Sequence, residues 1–194
     1  MAGVKQFDER QLLEKAMEVF WRRGFAETSM VDLARATKVQ RGSLYHAYAD
    51  KEAIFLKAYD LYAARFLEQI RSALAKPALA DALRAAFAAG IANMCSGRPS
   101  RGCLTTRTAM EAAALSPTVA GRVRAVLEAL EDMLAERIGA DRDFTGDARA
   151  AARLVVALTR GLAVIERAYG DPKRLQSIAD DAVRMIVAES GRRH

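Results

Sequence analysis

Two cysteines, two histidines, one tryptophan and four prolines are all that this chain of 194 residues holds of those types. Two thiols cannot staple a disulfide-dense scaffold, so the fold must rest on apolar burial. Neither His46 nor His194 has neighbours that suggest a ligand set, and two thiolates without a nearby imidazole leave a zinc shell incomplete; we expect no metal and no cofactor. With only 4 Pro and 12 Gly the chain favours helices with short connections. No apolar run approaches the ~20 residues that a bilayer span needs, so no membrane partner is expected. The lack of a signal sequence and the sparse thiols point to a reducing, cytoplasmic location. We find no internal repeat, no low-complexity tract and no long linker. What is plentiful is apolar: 52% of residues are hydrophobic, enough for a real core at this length. A net charge of +6 suits a polyanionic partner without demanding one.

The informative stretch is TSMVDLARATKVQRGSLYHAYADK, Thr28 to Lys51. Thr28 or Ser29 can cap a short helix by accepting from an unpaired first-turn N–H, with Asp32 on the favourable side of the helix dipole. Met30, Leu33 and Ala34 give that helix an apolar stripe. The pattern breaks at Thr37 and Lys38, Val39 plugs the turn, and Gln40 or Arg41 opens a second helix. This one buries Leu44 and either Ala47 or Tyr48, and turns Gln40, Arg41, Ser43, Tyr45 and His46 outward. Those side chains share a chemistry. Arg41 can fork onto a guanine edge and Gln40 can pair with adenine, while Ser43 and His46 reach bases or phosphates. Gly42 has no side chain to keep the backbone away from a phosphate strand, and Lys51 stands where it could hold that strand. Arg35, Lys38, Arg41 and Lys51 face one acid, Asp50, within residues 35 to 51.

Around this stretch, Thr28, Leu33, Ala34, Val39, Gly42, Ser43, Leu44, Tyr45, Tyr48, Lys51 and Glu52 fill the positions of a known signature: Met30 to Leu56 resembles the helix-turn-helix of the TetR family of bacterial transcriptional regulators. Two departures stand out. Lys38 replaces the usual turn glycine, and Tyr48 replaces the common Phe. A lysine at that turn must accept or avoid a positive φ, at a cost of ~1 kcal/mol. The resemblance implies an all-α protein: an N-terminal three-helix DNA-binding head over 1–51, with its helix-turn-helix at about 29–48, and a larger helical body over 52–194 for ligand binding and dimerisation. It also implies a homodimer on double-stranded operator DNA, most simply a repressor released by a small-molecule or electrophile inducer. The DNA contacts expected are Thr28, Ser29, Gln40, Arg41, Gly42, Ser43, Tyr45, His46 and Lys51.

In chain order, the arm MAGVKQF with Lys5 reads as a frayed terminus rather than a groove contact. A helix then starts at Asp8 or Glu9, with Leu12, Leu13, Ala16, Met17, Val19 and Phe20 on a wide apolar face, and stops at Arg22, Arg23 and Gly24. Trp21 reads as packing. From Asp50 a long helix runs to about Ala75, with Phe55, Tyr59, Tyr62 and Phe66 along one side; its later part, Tyr62, Phe66 and Ile70, is expected to face a cavity. Lys76 and Pro77 stop it. Helices follow from Leu79 to Cys95, over RGCLTTRTAMEAAALS, and from Pro117 to Ile138. The last two helices carry small and branched residues on long faces, and two copies of this hairpin would form a four-helix bundle. Ala151, Val155, Leu158, Leu162, Ile178 and Met185 are the interface expected. A two-fold pair also reads two half-sites, which a lone head does not.

Cys95 and Cys103 flank the loop SGRPSRG, close enough for a disulfide or a shared reactive site to be conceivable. Cys103 is the sharper candidate: it sits at a helix start beside Arg101 and within a turn of Arg107, both of which would favour thiolate. The segment also resembles the glycine-cysteine-leucine stretch of some TetR regulators, a few of which sense reactive compounds through cysteine. The ligand site expected combines Tyr62, Phe66, Phe87 and Ile91 with Met94, Cys103, Arg107 and Met110, and Glu111 is a second polar candidate. An enzyme using Cys103 as nucleophile lacks a base, and an interaction module without DNA would leave the outward row on the second helix without a purpose.

Overall fold

The computed structural model describes residues 8–97, 99–111 and 116–188, and among these every regular element is a helix. In chain order they are α1 (Glu9–Arg23), α2 (Met30–Thr37), α3 (Arg41–Ala47), α4 (Lys51–Leu74), α5 (Leu79–Met94), α6 (Leu104–Glu111), α7 (Pro117–Gly139), α8 (Ala148–Tyr169) and α9 (Pro172–Ala188). The arm with Lys5, the alanine-rich continuation expected after Glu111, and His194 lie outside the described residues.

Capping sets these boundaries. Asp8 accepts from Gln11 N–H ahead of α1, and Asp147 accepts from the Arg149 and Ala150 N–H groups ahead of α8. Ser29 and Asp32 exchange bonds in a capping box at the start of α2, so Ser29 and not Thr28 is the cap. Asp50 Oδ1 accepts from Ala53 N–H at 2.8 Å and opens α4. Gly24 and Gly170 close α1 and α8 with positive φ.

The chain forms two compact units. One comprises the residues up to Ala64 together with Arg107–Arg122; the other comprises Arg65–Thr106 and the residues from Val123 onward. The first unit therefore reaches beyond the boundary expected after Lys51, because half of α4 folds with α1 to α3. Its core is aromatic. Phe20 and Phe25 each meet the Phe55 ring edge-on at 5.0 Å, and Trp21 meets Tyr62 at 5.1 Å. Leu33 and Leu44 are fully buried and pin α2 and α3 to that cluster. In the second unit α5 packs against α8 and α9, with Leu83, Phe87, Leu162, Leu175, Ala179 and Val183 inside. Arg137 of α7 donates to the Leu74, Lys76 and Pro77 carbonyls and so caps the end of α4. No described helix is long and apolar enough to cross a membrane.

Candidate nucleic-acid interface and ligand cavity

In the helix-turn-helix the turn is tighter than its residues would choose. Lys38 takes φ 60 and ψ 27, the only positive-φ residue other than glycine among those described. The lysine accepts the left-handed geometry rather than avoiding it. Thr37 supports the turn: its buried hydroxyl donates to Leu33 O at 2.8 Å and accepts from Val39 N–H. After the turn, Leu44 and Tyr48 face inward while Ala47 stays exposed. Leu44 is the buried residue of α3, and Tyr48, in extended conformation directly after it, anchors the chain where the helix ends. Gln40, Arg41, Gly42, Ser43, Tyr45 and His46 are all exposed, and the Arg41 guanidinium lies 5.9 Å from the Tyr45 ring centre. Arg35 and Lys38 add exposed cations beside them.

Tyr48 explains why the position tolerates a phenol in place of a phenyl. Its hydroxyl donates to Glu9 Oε1 at 3.1 Å, and Lys57 pairs with the same oxygen at 2.8 Å while standing over the Tyr48 ring. Burial, and then the Glu9 charge, push the phenol up to about 12. The bonds from Lys57 and Tyr48 hold the Glu9 carboxyl below the usual range.

Three expected DNA contacts are otherwise engaged. Thr28 is only 2% exposed, and its hydroxyl donates to Gly24 O at 2.6 Å. Ser29 is exposed, yet its hydroxyl belongs to the capping box with Asp32. Lys51 Nζ donates to Phe25 O at 2.8 Å and Ala26 O at 3.3 Å and lies 4.6 Å from the centre of the Phe25 ring. All three tie the connection between α1 and α2 to its neighbours. Thr28 and Lys51 thereby serve the building of the head, while Ser29 stays on its surface.

The second unit contains a cavity whose empty space, part of it open to solvent, is about 460 Å³. Its walls are apolar: Phe66 and Ile70 of α4, Phe87 and Met94 of α5, Leu130 and Leu134 of α7, with Ala86, Gly90 and Val155 between them. Asn93, Cys103, Thr159 and Arg160 provide the polar surface. Four expected residues, Phe66, Phe87, Met94 and Cys103, are thus brought together, and four are not. Tyr62 is buried against Trp21 in the first unit. Ile91 is buried but does not reach the cavity wall. Met110 is 76% exposed. Arg107 donates through Nε to Glu111 at 2.7 Å and through Nη1 to the Trp21 and Arg22 carbonyls at 3.0 and 3.1 Å, so that the pair closes the last turn of α1.

Cys103 directly precedes α6 and is buried. The loop before it is fastened from α8. Arg167 donates to the Ser100 and Arg101 carbonyls, and buried Glu166 accepts from the Ser100 hydroxyl. Gly102 takes φ 72 and donates its N–H to Met94 O at 2.9 Å; a Cβ there would come within 3.2 Å of Arg167 Nε. The cation that meets the sulfur is neither Arg101 nor Arg107. Arg101 is bonded to Ser96 Oγ, whereas Arg160 Nη1 donates to Cys103 Sγ at 3.4 Å. Sequence reasoning missed Arg160, although it is the one charged residue between Leu154 and Ile165, an oddity that a helix buried on several sides seldom carries without use. Both thiols are free. Burial, and then the nearby Glu166 charge, push the Cys95 thiol up, which agrees with a packing role.

On α8 the expected interface divides. Ala151, Val155 and Leu162 are buried within the chain, because this stripe faces the unit's own core. The neighbouring stripe faces out: Leu154 is 66% exposed and Val164 57%, with Leu158 half-buried between them. On α9, Ile178 is half-buried and Met185 is 73% exposed.

A family model described as bacterial regulatory proteins, tetR family, matches residues 12–58, and one described as the tetracyclin repressor-like C-terminal domain matches residues 80–181. The HTH-type transcriptional repressor ComR of Escherichia coli (strain K12) is 26% identical over 194 residues, covering 93% of this chain and 90% of its own. A cysteine mutant of the TetR family regulator CifR, complexed with 26-base-pair operator DNA, is similar at a TM-score of 0.85 and 25% identity, covering 94% of this chain and 98% of that one. The reduced form of E. coli NemR shares the fold at a TM-score of 0.82 and 19% identity, over 92% of this chain and 95% of that one.

Proposed function

The chain belongs to the TetR family of bacterial regulatory proteins, and we propose that it works as a homodimeric repressor that holds palindromic operator DNA and lets go when a small molecule or an electrophile occupies its cavity. It is a transcriptional regulator with a DNA-binding helix-turn-helix and not an enzyme. What carries the proposal is the row Gln40, Arg41, Ser43, Tyr45 and His46: five exposed polar or aromatic side chains on the N-cap and body of one short helix that Leu44 buries on its other side. An α-helix of this width enters a major groove, and its side chains suit base edges. Gly42 leaves the backbone free to approach phosphate. The dimer is supported by apolar side chains turned outward on α8 and α9, Leu154, Val164 and Met185 being exposed and Leu158 and Ile178 half-buried.

Two kinds of inducer suit the cavity. A reversible ligand would fill the apolar space between α4, α5, α7 and α8. An unsaturated carbonyl compound would instead react at Cys103, whose route to a reagent is the cavity it lines: the sulfur bonds to the β-carbon, the carbon–carbon π bond breaks, and the thiol proton ends on the α-carbon. Either event favours whichever arrangement of the two heads fits the operator less well.

Footprinting of the purified protein on the DNA upstream of its own gene tests the proposal. A protected two-fold site, lost on Arg41→Ala, is the expected result. Protection that is uniform along any duplex and indifferent to Arg41 would refute it.

A further inference from the structure

The cavity in the second unit is apolar except at one end, and that end carries an unusual charge. Among the described residues Arg160 is the only cationic one lining it, and its guanidinium is incompletely satisfied. Nη1 donates to Cys103 Sγ and Nη2 to Thr159 Oγ1, itself committed by donating its proton to Val156 O at 2.7 Å. Nε is buried and has no partner, and among the described residues no carboxylate pairs with Arg160. A thiol and a hydroxyl are neutral, so they leave the half-buried guanidinium without a counter-charge. Removing a cation from water without a counter-charge is costly, and a buried N–H without an acceptor adds to that cost.

From this geometry we infer that the cavity takes an apolar monocarboxylate, with its carboxylate on the Arg160 guanidinium and its chain or ring among Phe66, Ile70, Phe87 and Leu134. A carboxylate meets both deficits together. It supplies the missing negative charge and an oxygen for the Nε–H, and a planar guanidinium fork suits it better than it suits a hydroxyl. Beyond Asn93, Cys103 and Thr159 the walls are apolar, which suits a hydrocarbon chain or ring better than a sugar or polyol. A cationic amphiphile would meet the guanidinium as a like charge. The inference deepens the inducer reading above and rests on it only for the consequence at the operator; binding itself can be measured without DNA.

Matched probes test it: octanoate against octanol and octylamine, and phenylbutanoate against phenylbutanol, titrated calorimetrically into the full-length protein. The carboxylates should bind at least about tenfold more tightly than the alcohols, as a charge-assisted bond implies, and the amine should not bind. Arg160→Met should abolish that preference, and Arg160→Lys should retain part of it. Leu134→Trp, which fills the cavity and leaves Arg160 in place, should abolish binding and provides an independent test if the arginine variants fold poorly. Equal affinity for acid and alcohol, no binding of either carboxylate, or carboxylate binding that survives Leu134→Trp would overturn the assignment. Octanoate that binds as expected yet leaves a footprint intact would keep the site and remove only its role as an inducer site.

Discussion

Lys51 separates two uses of a cation on a DNA-binding head, and the perturbation that distinguishes them is Lys51→Ala. By its place in the motif it reads as a phosphate contact; by its bonds it is a clamp on the Phe25 and Ala26 carbonyls. A bond from a charged donor is worth about 1.5–3 kcal/mol when well buried. The 2.8 Å bond to Phe25 O is only partly buried, and the 3.3 Å bond to Ala26 O is exposed, so the two together contribute nearer the lower end. The ammonium at 4.6 Å from the Phe25 ring centre adds about 0.5–1 kcal/mol. The loss on truncation is then about 2 kcal/mol, which for a chain of this length lowers Tm by about 4–8 °C. A thermal melt followed by circular dichroism measures it. In parallel, operator affinity is measured against salt concentration, where each phosphate contact contributes about 0.9 to the slope. Lys51→Ala should leave that slope unchanged, while Arg41→Ala should cost about 1–3 kcal/mol on operator and far less on random duplex. An unchanged Tm with a slope shallower by about one contact would refute the clamp and restore the phosphate role.

Gly24→Ala should destabilise by more than about 1 kcal/mol, because φ 87 strains any side chain and the new Cβ would collide with the Glu111 carboxylate; an unchanged denaturation midpoint would argue against the Arg107–Glu111 closure of α1. Tyr48 carries a pH signature: a folded pKa raised to about 12 means that its contribution is complete below the unfolded value of about 10 and is lost as pH rises from there towards 12. Tyr48→Phe should flatten that alkaline limb, and an identical limb in both proteins would contradict the assignment. The acid side has the opposite sign, since Glu9 and Asp32 titrate below their ordinary values; stability present above the unfolded carboxylate range is lost as pH falls through the folded values, and Glu9→Gln should reduce that loss in an acid-denaturation series. Leu154→Glu places a charge on the outward stripe of α8 and should shift sedimentation from dimer to monomer without lowering helicity; a dimer that persists would put the interface elsewhere.

Helix boundaries and the outward row on α3 were legible because they are local. Asp8, Ser29 and Asp147 act within three residues of themselves, and Leu44 alone on α3 sets which of its side chains turn inward, while only the structure decides between Ala47 and Tyr48. What could not be read was which polar groups a distant backbone would claim. Thr28, Lys51 and Arg107 all end on carbonyls, and the carbonyls that hold Arg107 lie more than 80 residues away. The same applies to Cys103: Arg101 and Arg107 are its neighbours in sequence, but Arg160 meets the sulfur across a separation of 57 residues. On α8 the difficulty was one of phase. The helix has apolar residues around much of its circumference, so Ala151 and Val155 on one stripe and Leu154 and Leu158 on the next compete for the core on nearly equal terms, and only packing against α5 and α9 decides between them.

The same long-range bonds give α6 a structural part at the end of α1. Arg107 of this helix holds the Trp21 and Arg22 carbonyls and pairs with Glu111. Eight residues make a rod about 12 Å long, too short to absorb a displacement by bending. Three charge-assisted bonds on partly solvated acceptors, including the one to Glu111, are together worth a few kcal/mol at most. A tie of that strength fixes the last turn of α1 without the desolvation penalty that a deeply buried ion pair would carry.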